Sequence, residues 1–90
     1  MAASTEAVTL SSSAYVALSS GQATVLVHVD SPTKIAIGTS LPSADTANWF
    51  PLSGDEGDNQ MAFEGLDPTE NVYARPMDAV SNAIARVMRQ

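Results

Sequence analysis

Residues 21–38 read GQATVLVHVDSPTKIAIG, and this run constrains the fold more than any other. Positions 23, 25, 27 and 29 are Ala, Val, Val and Val, whereas 24, 26, 28 and 30 are Thr, Leu, His and Asp. Alternation of period two gives an extended chain one apolar face and one wetter face. Asp30, Ser31 and Pro32 interrupt it, because proline has no amide hydrogen to give to a ladder and fixes its own φ. The alternation resumes over 34–37, with Ile35 and Ile37 on one side and Lys34 and Ala36 on the other. Two strands around a turn, at the centre of a small β domain, are expected.

The flanks extend that reading. Residues 6–10 predict a short strand with Val8 and Leu10 on one face, and 1–13 form an N-terminal arm or edge strand. In 14–18, Ala14, Val16 and Leu18 alternate with Tyr15 and Ala17; Ser19, Ser20 and Gly21 then supply a turn, so a hairpin with the central strand is expected. Residues 39–60 are rich in Pro, Ser, Asp and Gly and read mostly as loop. Trp49, Phe50 and Leu52 interrupt the loop, and Pro51 restricts them to an edge strand or an apolar plug. Residues 61–63 predict a strand, 65–68 a turn, and 71–75 the last strand, with Val72 and Ala74 opposite Tyr73 and Arg75.

From Pro76 the period changes. Apolar residues at 77, 80, 84, 87 and 88 fall at helical intervals, with Asp78 as N-cap and Arg86 and Arg89 at the favourable end of the dipole. A helix is expected within 76–90. The competing reading is a further strand, since Ala85, Val87 and Arg89 also alternate with Ile84, Arg86 and Met88. The expected fold is mainly β: a small antiparallel β-sandwich or barrel over 14–75 with a C-terminal helix. Its inward set comprises Val16, Leu18, Val25, Val27, Val29, Ile35, Ile37, Trp49, Val72 and Ile84.

The 90 residues are one domain's worth and contain no Cys, which removes disulfides and cysteine-ligated zinc. So small a core without staples favours oligomerisation or docking on a larger body. The 4 Lys and Arg against 10 Asp and Glu give a net charge of −6, which disfavours direct binding to nucleic acid. The charge is uneven: residues 1–74 carry −8 and residues 75–90 carry +2, a handle for head-to-tail contacts. No basic and apolar leader opens the chain, and no apolar run is long enough to cross a bilayer, so assembly in the cytoplasm without a membrane is expected.

Catalytic and metal chemistry finds few footholds. His28 stands alone, so zinc would need carboxylates for its other ligands. GDEGDN at 54–59 is the densest carboxylate cluster, but Gly57 stands where an EF-hand wants a ligand. It reads as a solvated hairpin tip, with a cation on Asp55, Glu56 and Asp58 as the alternative. No Gly-x-Ser-x-Gly elbow and no phosphate loop with a Lys is present. A non-enzyme without catalytic residues, metal or cofactor is expected.

The run QATVLVHVDSPTKIAIGTSLPSAD at 22–45, then Trp49, then TENVYAR at 69–75, resembles small β-rich virion proteins of tailed bacteriophages. The likeness spans roughly residues 14–75 and lies in spacing and residue type: a strand ending in Gly-Thr, an Ala-Asp loop, an aromatic-Pro-Leu segment and a closing N-V-Y-A-R strand. It implies a structural subunit of the virion, a capsid accessory or decoration protein present in many copies. The alternative is a neck or tail component. Implied partners are other phage structural proteins and further copies of the chain. The sequence departs from the pattern after Arg75, where a helix is read in place of a strand. The rival class is a soluble, acidic, phage-encoded inhibitor that uses its charge to mimic DNA. A sugar-binding fibre module would require an exposed Trp49 with Tyr15 or Tyr73 beside it. Candidate partner contacts are Trp49, Phe50 and Pro51, and, in the C-terminal segment, the stripe Met77, Val80, Ile84, Val87 and Met88 with Arg86 and Arg89. The stripe packs either on its own sheet or on a partner.

Overall fold

The computed structural model describes residues 4–11, 13–77 and 83–90. It contains eight strands: β1 (Ser4–Thr9), β2 (Val16–Ala17), β3 (Val25–Val29), β4 (Thr33–Gly38), β5 (Phe50–Leu52), β6 (Gln60–Phe63), β7 (Asn71–Pro76) and β8 (Ile84–Arg89). They form two four-stranded antiparallel sheets, sheet A in the order β1-β8-β3-β6 and sheet B in the order β2-β7-β4-β5. The fold is mainly β, as the alternation predicts.

The alternating residues decide which face of each strand is buried. Val25, Val27 and Val29 of β3 meet Ala85 and Val87 of β8 on the inner face of sheet A, and all five are at most 1% exposed. Ile35, Leu52, Val72 and Ala74 of sheet B belong to the same cluster, together with Leu10 and Leu18 from the connections. Each fully buried Val, Leu or Ile contributes about 1.5–3 kcal/mol, so this shared core is the main stabilising term. Phe50 of β5 and Phe63 of β6 close one side of it, with ring centroids 6.0 Å apart.

The central pair is two strands around a turn, as expected, but the two strands do not pair with each other. β3 and β4 lie in different sheets, and the turn at Asp30, Ser31 and Pro32 carries the chain from one to the other. Among the described strands only β4 and β5 are consecutive in sequence and paired; every other connection changes sheet. For the same reason β2 does not pair with β3 but with β7; the turn at 54–58 links strands of different sheets, and an antiparallel bridge between Asp55 and Asp58 closes its exposed tip. The corner is held by local bonds: Thr33 Oγ1 donates to Ser31 O at 2.8 Å, and Met77 N donates to Pro32 O at 3.0 Å. Gly54 packs on that corner in the left-handed region (φ 84°), where a Cβ would fall 2.5 Å from Ser31 N.

The C-terminal helix is overturned over 84–89. That segment is β8, and it lies inside sheet A between β1 and β3. An apolar face of period two at Ala85 and Val87 matches that of β3, and pairing there satisfies ladder groups on both neighbours. Tertiary pairing therefore prevails over a weak helical preference. β7 is consequently not the last strand. Asp78, the expected N-cap, lies outside the described residues. Two members of the inward set are also corrected. Ile84 is on the outer face of sheet A at 39% exposure, and Ile37, near the end of β4, is 38% exposed. Val16 and Trp49 are half-buried.

Candidate interaction site

The two sheets present very different outer faces. On sheet B, Lys34 of β4 is opposite Arg75 of β7, and Ala36 is opposite Tyr73. Tyr15, Ala36 and Tyr73 are buried as a second, smaller cluster, and Trp49 packs against it. Lys34 Nζ lies 4.9 Å from the Trp49 ring centroid, and Arg75 Nη1 donates to Ala44 O at 2.6 Å, which ties the preceding loop down on this face. The aromatic lid is thus supplied by the chain itself. The Tyr15 hydroxyl is buried without a hydrogen bond among the described residues, and burial pushes its pKa up.

The outer face of sheet A has no such lid among the described residues. The register places Thr5, Met88, Leu26 and Ala62 in one row across the four strands, and Ala7, Arg86, His28 and Gln60 in the next. Thr5, Leu26, His28, Arg86, Val87 and Met88 line a shallow depression of about 250 Å³. Arg86 Nη1 donates to Asp30 Oδ2 at 2.6 Å, and this bond holds the Asp30 carboxyl below the usual carboxylate range. His28 Nδ1 lies 3.8 Å from Asp30 Oδ1, beyond hydrogen-bond reach. Ile84 stands exposed beside this group on β8. The middle row of the face is polar, with the Arg86–Asp30 ion pair and the His28 imidazole, and it lies between the apolar pair Leu26 and Met88 on one side and Ile84 on the other. A depression of about 410 Å³ at Ser20, Gly21, Gln22, Ala23 and Gln90 offers no His, carboxylate or basic side chain.

The expected contact residues therefore separate. Ile84, Arg86 and Met88 come together on sheet A, while Trp49 and the exposed Pro51 lie with sheet B. Phe50 packs on the core, Met77 is half-buried, and Val80 lies outside the described residues. Val87 is fully buried in the core, so the helical stripe does not exist as one surface. Arg89 faces inward at the end of sheet A, where its Nε donates to Leu18 O and its Nη1 to Glu6 Oε1, each at 2.6 Å. It bridges the chain's own elements. Leu26 and His28 were legible in the sequence as the wetter face of β3, yet nothing there marked that they stand beside Arg86 and Met88, which are some sixty residues away.

The carboxylates of the 54–58 turn are exposed, and Asp58 Oδ2 accepts from Ser53 N at 3.1 Å. Among the described residues no group of three or more His, Asp or Glu side chains is placed to hold a metal ion. Comparison with family models, with curated proteins and with solved structures yields no match to this chain.

Proposed function

We propose that this chain is a non-catalytic structural subunit of a tailed-bacteriophage particle, a capsid accessory or decoration protein that docks through the outer face of sheet A. The observation that carries this reading is the apolar pair Leu26 and Met88, uncovered among the described residues, with Ile84 exposed beyond the Arg86–His28 row, on a domain whose other sheet supplies its own aromatic lid. Such a surface on a small acidic domain suits a contact with a larger body. The resemblance of 22–45 and 69–75 to phage virion proteins supplies the kind of body. We also read the two sheets as the faces of a β-sandwich, because their inward residues share one core.

Neck or tail attachment is the second place for the same subunit. Mass spectrometry of purified particles of a phage encoding the chain tests the reading. Many copies per particle are expected, and absence from the particle overturns it. Leu26→Asp with Met88→Asp should abolish retention on particles while the isolated domain stays folded.

A further inference from the structure

We propose that the outward edge of β1 is a self-association edge, through which two copies pair antiparallel to continue sheet A from one copy into the next. A strand at the edge of a sheet presents unpaired N–H and C=O groups, and stable folds blunt such edges with short strands, proline or charge. Three of the four edges here are blunted. β2 has two residues, and β5 carries Pro51 at its centre. β6 has four residues, preceded by the acidic turn at 55–58 and followed by Glu64 and the left-handed Gly65.

β1 is different. Among the described residues it is terminal in its sheet, and it runs six residues, STEAVT, with β-branched Thr5, Val8 and Thr9 and no Pro, Gly or Lys. All but one of its residues are exposed. An inward charge could have guarded this edge, but its one charged residue, Glu6, is already engaged by Arg89 of β8 at 2.6 Å. β8 and β3 separate β1 from β6, so the acidic turn lies at the opposite edge, about 14 Å away at a strand spacing of ~4.8 Å. Pairing β6 with β6 would bring acidic turns together; pairing β1 with β1 would not. A second copy is the occupant because a twofold axis lets each β1 donate and accept the same row of bonds. Two bodies of net charge −6 repel, so the pair should tighten as salt is added. The inference concerns the chain free in solution and stands apart from the virion reading.

Light scattering of the full chain across a dilution series tests it. The mass should move from 9.4 kDa toward twice that value with concentration, and further at higher salt. Since the chain has no Cys, single cysteines report the edge: oxidation should cross-link at least one of Thr5→Cys, Ala7→Cys and Thr9→Cys and leave Ala62→Cys on β6 uncross-linked. The combined Thr5→Lys, Ala7→Lys and Thr9→Lys variant should stay at 9.4 kDa with an unchanged far-UV spectrum. A monomer at every concentration and salt overturns the proposal. So does a dimer trapped at Ala62→Cys and at none of the β1 positions. Both results are independent of whether the chain is found in particles.

Discussion

Sheet B covers its outer face with its own chain, whereas sheet A leaves its outer face open among the described residues. On sheet B, Tyr15 and Tyr73 are 3% and 5% exposed beneath Trp49, and Lys34 and Arg75 hold the covering segment. On sheet A, Leu26 and Met88 are half-buried and Ile84 is exposed, with no segment over them among the described residues. Both faces carry apolar side chains, so composition does not separate them. What separates them is whether the loop between β4 and β5 reaches the face. Aromatic residues on sheet B therefore act as core, and smaller apolar residues on sheet A stay at the surface among the described residues.

The strongest way to break this contrast is to remove the strand that carries much of the open face. Truncation after Pro76 deletes β8, leaving β1 and β3 without their shared neighbour and the core without Ala85 and Val87. Loss of the cooperative unfolding transition is expected, monitored by circular dichroism. A truncated chain that still folds would show that β8 is an accessory to a core closed by β7.

Substitutions on the two faces sharpen the contrast. Tyr73→Ala on sheet B should cost about 3–5 kcal/mol in denaturant unfolding, as expected for emptying a buried aromatic site. Gly54→Ala at the corner between the sheets should cost about 1–3 kcal/mol from its left-handed φ alone, before the clash with Ser31 is relieved. Leu26→Ala and Met88→Ala on sheet A should each change the stability of the isolated domain by about 1 kcal/mol or less, yet weaken retention on particles. Equal losses of stability on both faces would remove the distinction.

The smallest effect concerns the ion pair on the open face. Asp30 has a folded pKa below its unfolded value, because Arg86 bonds to the ionised carboxylate. Its stabilising contribution is present above the unfolded pKa and is lost as the pH falls through the folded one. Arg86→Ala should raise the Asp30 pKa toward the ordinary range in a carbon-detected NMR titration, with little change in stability at neutral pH, since the pair is exposed. An unmoved Asp30 titration would show that the bond does not persist in solution.

Residues 25–29 and 71–76 were legible as strands from the sequence because their side chains alternate by two, and a period is a property of a local stretch. The same logic placed Val25, Val27, Val29 and Val72 inside, and marked Pro51 as an edge residue. At 84–89 the sequence supported two periods at once, and β3 on one side and β1 on the other decided for the strand. Pairing partners were decided wholly by tertiary structure. A turn such as Asp30, Ser31 and Pro32 fixes that the chain bends, while the direction of the bend, back along the same sheet or across to the other, depends on where the buried faces of β3 and β4 find neighbours. The candidate surface follows the same rule: Leu26, Arg86 and Met88 each have a local reason for facing outward, but their meeting on one face exists only because β8 returns from the far end of the sequence to lie beside β3.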